Sequence, residues 1–184
     1  MDQRAAIDML KNGDIGGLEA LVESYQARAL RVAYLITGDA ALAQDVVQEA
    51  FIHVYRAIHG FKPDRPFEPW FLRIVVNASI KAMNKVRRLV GLPDAADGQP
   101  FAELCAQIES VESQVETEEL RQRIWEAMQA LPPRQRAVIV QRYYLDMSEK
   151  DMATAGGSAP GTIKWLLNAA RTRLRALLTE RSRE

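Results

Sequence analysis

Positive charges and amides recur along one predicted helix between residues 67 and 89. They follow one another at steps of four, four, three and four, which places them on one helical face. These residues are Arg73, Asn77, Lys81, Asn84 and Arg88. The stretch from Pro69 to Arg88 holds five cations and no carboxylate, so no i,i+4 pairs can neutralise the face. A polyanion is its natural counter-charge, and the alternative is a plain solvated face.

Aromatic residues crowd the loop and the first turn before this face. The loop GFKPDRPFEP contains three prolines and one glycine, which predicts a shaped loop with fixed turns. Phe61, Phe67 and Trp70 could offer stacking surfaces to unpaired bases, with core packing as the alternative. For Phe71 we favour core packing.

A second candidate nucleic-acid surface lies near the end of the chain. Ser148, with Asp151 three residues later, predicts a capped short helix; a glycine-rich turn and a longer helix follow it. That order is typical of a helix-turn-helix. Residues expected at the exposed start of the longer helix are Thr162, Lys164, Trp165 and Asn168. An ordinary amphipathic terminal helix is the alternative interpretation.

Catalytic and metal chemistry lack the residues they need. No Ser/His/Asp or Cys/His grouping, P-loop or dinucleotide fingerprint is present, and we predict neither an enzyme nor a cofactor. Cys105 is the single cysteine, and His53 and His59 fall on different helical faces, so no metal site is expected. No apolar run approaches 18 residues, so we expect no membrane insertion and a cytoplasmic protein.

The elements that must position these faces are helices. Residues 1–88 carry 12 basic and 10 acidic side chains. Residues 89–112 carry no basic and 5 acidic side chains, and residues 113–184 carry 12 basic and 9 acidic ones. Apolar periodicity predicts helices over 18–36, 42–58 and 67–89, then over 116–130 and 134–145. We therefore predict an all-α protein with two small helical domains, 1–88 and 113–184. An acidic linker, 89–112, joins them, and the C-terminal domain is a helix-turn-helix.

The two modules together resemble bacterial sigma factors of the extracytoplasmic-function group, which keep only the second and fourth conserved regions. In the first module the resemblance rests on ALAQDVVQEAFIHVYRAI and FEPWFLRIVVNASI. In the second it rests on LPPRQRAVIVQRYY, SEKDMA and GTIKWLLNAARTRLRALL. The resemblance covers nearly the whole chain. It implies a factor that binds core RNA polymerase and directs promoter-specific initiation.

The resemblance also implies roles for particular residues. The surface that docks on the beta-prime clamp helices of the polymerase is expected at Asp45, Val46, Gln48, Glu49, Phe51 and Tyr55. Melting and reading of the minus-10 element are expected at Phe61, Lys62, Asp64, Trp70, Arg73, Asn77, Lys81, Asn84 and Arg88. Reading of the minus-35 duplex is expected at Arg136, Pro160, Thr162, Lys164, Trp165, Asn168 and Arg171. A partner anti-sigma factor is also implied, and a small-molecule substrate is not.

Some positions depart from the family's pattern. Lys81 and Asn84 stand where the family usually has Asp and then Arg, so the positive charge lies at a different place along the minus-10 face. Gly156 and Ser158 stand where apolar residues usually pack the turn, each missing side chain costing about 1 to 3 kcal/mol of burial. Leu166 and Ala169 stand where basic residues are common in the family, so phosphate contacts expected there are missing. We therefore expect a weakened minus-35 module.

Two further function classes remain open. A stand-alone helix-turn-helix regulator would bind its operator without polymerase, usually as a dimer on a palindrome. An adaptor or sequestered mimic would bind partners through the first module and never read minus-35 DNA. A small helical enzyme is the weakest of the alternatives.

Overall fold

The computed structural model describes residues 2–62, 64–90 and 115–180, and every regular element in these ranges is a helix. This confirms the all-α fold. The chain divides into two compact units, Met1–Met83 and Asn84–Glu184, here called the N-terminal and C-terminal units. Residues 91–112 of the predicted acidic linker, including Cys105, lie outside the described residues. None of the described helices has the combined length and apolar character needed to span a membrane.

Four α-helices and one short turn build the N-terminal unit. They are α1 (Gln3–Lys11), α2 (Gly16–Thr37), α3 (Ala40–Ala57), a 3-10 turn (Ile58–Gly60) and α4 (Phe67–Val90), which continues across the division between the units. The predicted break between α2 and α3 is confirmed. Gly38 takes a left-handed φ of 75°, and the Asp39 carboxylate accepts the Leu42 N–H at 2.8 Å to cap α3.

Helix α1 was not predicted, because nine residues hold too few turns for a clear apolar period. It packs on the start of α2 through Ala6, Ile7 and Leu10, all buried. The helices approach so closely at Gly17 that a β-carbon there would lie 2.3 Å from the Ala6 carbonyl oxygen. Glycine is therefore required at this crossing.

An aromatic cluster fills the part of the N-terminal unit beneath the proline-rich loop. Its members are Tyr25, Phe51, Phe61, Phe67, Trp70 and Phe71. Phe67 and Phe71 are stacked with ring centroids 5.8 Å apart, and Phe51 lies 4.6 Å from Phe71. Both Phe67 and Phe71 are fully buried, as is Val54 of α3. The favoured core role of Phe71 is confirmed, whereas Phe67 is core and not a stacking surface for bases.

The C-terminal unit contains four described α-helices in addition to the end of α4. They are α5 (Val115–Gln129), α6 (Pro133–Ile139), α7 (Glu149–Gly156) and α8 (Pro160–Glu180). A π-helical turn, Val140–Tyr144, continues α6, so the predicted helix 134–145 changes its winding halfway. The core of this unit consists of Leu131, Val138, Ile139, Met152, Ala153, Ile163, Leu167 and Ala170.

The turn before α8 is shaped by main-chain bonds. Ser148 and Asp151 form the predicted capping box at the start of α7. Gly157 ends α7 with a left-handed φ of 59°, and the Ser158 N–H donates to the Ala153 carbonyl at 3.0 Å. The short helix, glycine turn and long helix confirm the helix-turn-helix.

Candidate functional site

The outer face of α4 presents the predicted row of polar residues. Arg73, Asn77, Lys81 and Arg88 are exposed, and Asn84 is half-buried. The inner face, with Val75, Val76 and Ser79, is buried. Among the polar groups of the helix, the Ser79 hydroxyl donates to the Val75 carbonyl at 2.8 Å, and Glu68 pairs with Arg28 of α2. No carboxylate follows Glu68 on α4, so no acidic side chain of this helix neutralises the cations of the row.

The loop before α4 meets solvent through its polar residues. Lys62 and Asp64 are exposed, as is Arg65, whose N–H donates to the Lys62 carbonyl at 3.1 Å. Phe61 is only 5% exposed, and its ring lies 4.9 Å from that of Trp70 and 5.7 Å from that of Phe67. The structure therefore corrects the expectation that Phe61 stacks on DNA bases. Trp70 is half-buried at the edge of the aromatic cluster.

The outer face of α3 combines acidic, amide and apolar side chains. Asp45, Gln48, Glu49 and Tyr55 are exposed as the resemblance requires. Val46 and Phe51, however, are 2% and 7% exposed and pack inside the unit, which removes them from the candidate docking surface.

Ile52 belongs to the α3 face but was not among the predicted residues. It is exposed, and it lies three residues from both Glu49 and Tyr55 on the same side of the helix. The signal that could have found it is this spacing of three to four residues from Asp45 through Tyr55.

The first two turns of α8 carry the second candidate surface. Thr162, Lys164 and Asn168 are exposed, and Trp165 is 65% exposed although it is a large aromatic residue. Pro160, the first residue of the helix, is also exposed. Ile163 and Leu167 lie on the opposite side in the core, so packing against that core fixes which side chains point outward. Leu166 is half-buried and packs against the same core.

Arg136 does not belong to this surface. It is 4% exposed, and its guanidinium donates to the Gln129 carbonyl, to the Gln129 side-chain oxygen at 2.5 Å and to the Leu131 carbonyl at 3.2 Å. These bonds join the start of α6 to the end of α5. The expected minus-35 contact by Arg136 is thus corrected to a structural role, because both terminal nitrogens of its buried guanidinium donate to acceptors within the unit.

Arg171 is held by a neighbour on the π-helical turn. Its Nε donates to the Tyr143 hydroxyl at 3.0 Å, and its guanidinium carbon lies 5.8 Å from the centroid of that ring. The pair forms one wall of an open groove of about 590 Å³ with Ile124, Met128, Leu174 and Leu178. The groove is mainly apolar, and Ile124 and Tyr143 are exposed at it.

The glycine turn departs from expectation at Gly156. This residue is exposed, and a β-carbon added to it would meet only the Ser158 hydroxyl, at 3.6 Å. Little burial is therefore lost at Gly156, which corrects the expected cost of its missing side chain. Ser158 is half-buried, and its hydroxyl donates to the Gly156 carbonyl at 3.4 Å.

The structure shifts the pKa values of Asp151 and Tyr25. Hydrogen bonds from the Ser148 side chain and backbone lower the pKa of Asp151 at the start of α7. Burial, followed by the nearby Glu68 charge, raises the pKa of Tyr25. Residues 2–62, 64–90 and 115–180 contain no cluster of three or more His, Cys, Asp or Glu side chains that could hold a metal ion.

Comparison with known families matches both units. Residues 21–89 match the family description Sigma-70 region 2, and residues 121–174 match Sigma-70, region 4. The first match covers most of α2 and continues to the end of α4. The second runs from α5 into α8 and includes the helix-turn-helix.

Curated relatives match over nearly the whole chain. The RNA polymerase sigma-H factor of Pseudomonas aeruginosa is 31% identical over 169 residues, covering 90% of this chain and 88% of the relative. The ECF RNA polymerase sigma factor SigW of Bacillus subtilis is 28% identical over 178 residues, with 95% of each chain covered. The ECF RNA polymerase sigma-E factor of Escherichia coli K12 is 29% identical, covering 93% and 91%.

Solved structures share the fold at lower identity. CnrH, solved in complex with the cytosolic domain of CnrY, is 23% identical with a TM-score of 0.64, covering 97% of this chain and 99% of that one. The sigma factor RpoE of Bartonella quintana, solved with the anti-sigma factor NepR, is 22% identical with a TM-score of 0.63, covering 88% and 96%.

The fold, the exposed faces and these matches agree. The first matched region contains α3 and most of α2 and α4, the second contains the helix-turn-helix, and the curated relatives are named as sigma factors of RNA polymerase. The chain belongs to the extracytoplasmic-function group of the sigma-70 family and is a promoter-recognising factor that directs transcription initiation.

Proposed function

We propose that the chain reads its promoter with two separate faces, one in each unit. The observation that carries this proposal is that both faces are exposed and free of carboxylates, while the opposite side of each helix is core. The α4 face, with Arg73, Asn77 and Lys81, takes the minus-10 element. The α8 face, with Thr162, Lys164 and Trp165, takes the minus-35 duplex.

Reading of the minus-10 element combines the α4 row with the loop before it. Lys62 and Asp64 reach solvent from a loop whose base is fixed by buried aromatic rings. Such a loop can hold an unpaired base outside the stack, and contacts along α4 offset an unpairing cost of a few kcal/mol. Trp70 lies at the edge of this surface, and Asn84 and Arg88 continue the row along α4 beyond the division between the units.

Docking on core polymerase is assigned to the outer face of α3. Its exposed residues are Asp45, Gln48, Glu49, Ile52 and Tyr55. The apolar side chains of Ile52 and Tyr55 beside carboxylates suit a partner surface that is apolar at its centre and basic at its rim. The beta-prime clamp helices are the proposed partner.

Minus-35 recognition is proposed to be weak relative to minus-10 recognition. Leu166 packs into the unit, Ala169 is half-buried and Arg171 is engaged by Tyr143, so these three positions offer little to DNA phosphates. Affinity for a minus-35 duplex near the non-specific range of about 10⁻⁴ to 10⁻⁶ M at physiological salt would support this. Nanomolar binding would contradict it.

An anti-sigma partner and a cytoplasmic location complete the proposal. CnrH and RpoE of Bartonella quintana were both solved with partner proteins, and RpoE's partner is an anti-sigma factor. By analogy, we assign this chain an anti-sigma partner that covers apolar surface such as Ile52 and Tyr55. A factor that acts on polymerase and chromosomal promoters works in the cytoplasm.

The test is transcription from pooled genomic fragments by sigma-free core polymerase, with and without the full chain. Starts found only with the protein, and sharing two upstream motifs, support the proposal. Binding to core without new starts would favour an adaptor. Operator binding without polymerase would favour a stand-alone regulator.

Paired substitutions assign the faces. Arg73→Ala with Lys81→Ala should lower the salt dependence of promoter binding by about one unit of slope per lost phosphate contact. Arg4→Ala is the matched control, because Arg4 is an exposed cation on α1 outside the row. Equal effects of the pair and the control would contradict the assignment of α4.

A further inference from the structure

The last residue of α1 contacts the base of the loop before α4, here called the minus-10 loop (residues 61–62 and 64–66). The Lys11 ammonium donates to the Phe61 carbonyl at 2.8 Å, across 50 residues of sequence. Lys11 is half-buried, and this is a charge-assisted hydrogen bond, a class about twice as strong as a neutral one. The contact joins α1, which the sequence analysis did not predict, to the loop that is proposed to meet DNA.

The Phe61 carbonyl lies where the chain leaves regular structure. Phe61 follows the 3-10 turn in an extended conformation, with φ −72° and ψ 129°. Its N–H still donates to the Ile58 carbonyl at 3.0 Å, but its own carbonyl points away from the helical direction. Lys11 supplies the donor for that carbonyl, and the peptide leading into Lys62 is thereby oriented.

The remaining parts of Phe61 are held from the other side. Its ring is buried against Phe67 and Trp70 of α4. The ring fixes where the loop is attached, and it leaves the rotation of the next peptide free. The bond from Lys11 restrains that rotation, on which the directions of Lys62 and Asp64 depend.

Helix α1 is a firm support for this bond. Ala6, Ile7 and Leu10 are buried, and the close crossing at Gly17 prevents α1 from sliding along α2. The Tyr25 hydroxyl also donates to the Gln3 side chain. The position of Lys11 is therefore set by packing that does not involve the loop.

We propose that Lys11 is a positioning residue for promoter opening. It orients the first peptide of the minus-10 loop, so that Lys62 and Asp64 meet the non-template strand in the right place, and it does not contact DNA itself. This rests on the proposed role of the loop in minus-10 recognition. The alternative is that Lys11 only complements the C-terminal dipole of α1.

The experiment compares full-length Lys11→Met and Lys11→Arg in holoenzyme with core polymerase. Promoter opening is followed by 2-aminopurine fluorescence in the minus-10 element, and core affinity is measured separately. Lys11→Met should slow opening by about tenfold, the equivalent of losing one hydrogen bond to a charged group, with core affinity changed less than twofold. Lys11→Arg should keep most of the opening rate because it can still donate to the carbonyl. Arg4→Met is the matched control on the same helix.

Several outcomes would overturn the proposal. Opening by Lys11→Met at the wild-type rate would do so. So would a parallel loss of core affinity and of hydrogen-exchange protection in α1, which would show a purely structural role. Lys62→Ala and Asp64→Ala separate failure of the Lys11 inference from failure of the proposed role of the loop. If they slow opening and Lys11→Met does not, only this inference fails; if they have no effect either, the proposed role of the loop fails.

Discussion

The two turns that we propose to face DNA are held by different chemistry. In the N-terminal unit the loop before α4 rests mainly on buried aromatic rings, with the ring centroids of Phe61 and Phe67 5.7 Å apart at its base, and Lys11 adds one bond to the Phe61 carbonyl. In the C-terminal unit the turns rest on bonds to the main chain. In the glycine turn the Ser158 N–H donates to the Ala153 carbonyl, and in the turn between α5 and α6, which lies outside the proposed DNA surface, Arg136 donates to the Gln129 and Leu131 carbonyls.

This difference predicts which substitutions each turn tolerates. A turn held by rings should tolerate changes at its exposed tip and fail when an anchor is truncated. A turn held by main-chain bonds needs particular backbone angles and donors, and it tolerates changes in side-chain volume. The small residues Gly156 and Ser158 in the glycine turn therefore do not by themselves make the helix-turn-helix unstable.

The largest effect is expected from Phe67→Ala. Truncating a fully buried phenylalanine costs about 3 to 5 kcal/mol, because a cavity remains beneath the loop. Urea unfolding of the full chain, followed by hydrogen exchange of α1 to α4, should show the loss in the N-terminal unit. Lys62→Ala at the exposed loop is the control and should change stability by less than about 0.5 kcal/mol. Equal losses would contradict the role of the rings.

Arg136→Met tests the polar anchor of the C-terminal unit. The change keeps most of the apolar stem and leaves the Gln129 and Leu131 carbonyls without this donor, at a cost of about 1 to 3 kcal/mol. Arg134→Met is the matched control, since Arg134 is exposed on the same helix. Thermal unfolding and exchange of α5 and α6 amides measure both. An effect of Arg136→Met no larger than that of Arg134→Met would contradict the structural role of Arg136.

Alanine substitutions at the adjacent glycines Gly156 and Gly157 should change the free energy of unfolding in opposite directions. Gly157→Ala should destabilise α7 by about 1 kcal/mol, because φ of 59° is unfavourable for alanine. Gly156→Ala should stabilise by about 0.5 to 1 kcal/mol, since it is helical and the added β-carbon makes an ordinary contact. Unfolding free energies of the two variants decide the matter. Shifts in the same direction would show that the turn is limited by packing.

The smallest effect concerns the acid end of the pH scale. The pKa of Asp151 is lowered below 3.8 by its bonds with Ser148, so the capping box is complete above pH 3.8 and is lost as pH falls through the lower folded value. NMR titration of the Asp151 carboxyl carbon should give a midpoint below 3.8 in the full chain. Ser148→Ala should move that midpoint back upward. An unchanged midpoint would remove the hydroxyl as the cause.

Helix boundaries could be predicted from the sequence where local chemistry decides them. Gly38 with Asp39 and Ser148 with Asp151 act within four residues of chain, and the α4 row follows from helical spacing alone. These features were found because no distant residue contributes to them. The glycine turn and the long helix α8 are likewise predicted from local sequence alone.

Burial at the candidate surfaces could not be predicted because it depends on contacts distant in sequence or on local winding. The aromatic Phe61 could equally stack on bases or on Phe67, and only the path of the loop selects the second. The placement of Arg136 depends on carbonyls that α5 leaves unpaired, which have no side-chain signature. Val46 and Phe51 lie beside exposed polar residues in sequence, so the same short motif contains both core and surface.

The bond between Lys11 and Phe61 also bears on the order of folding. Contacts between α1 and α2 join near neighbours in sequence and can form early, whereas this bond closes a separation of 50 residues. The loop can take its native path only after the helices between these residues have assembled. We therefore expect the loop to become ordered late in the folding of the N-terminal unit, after α1 to α3 have assembled, and hydrogen exchange during refolding measures this order.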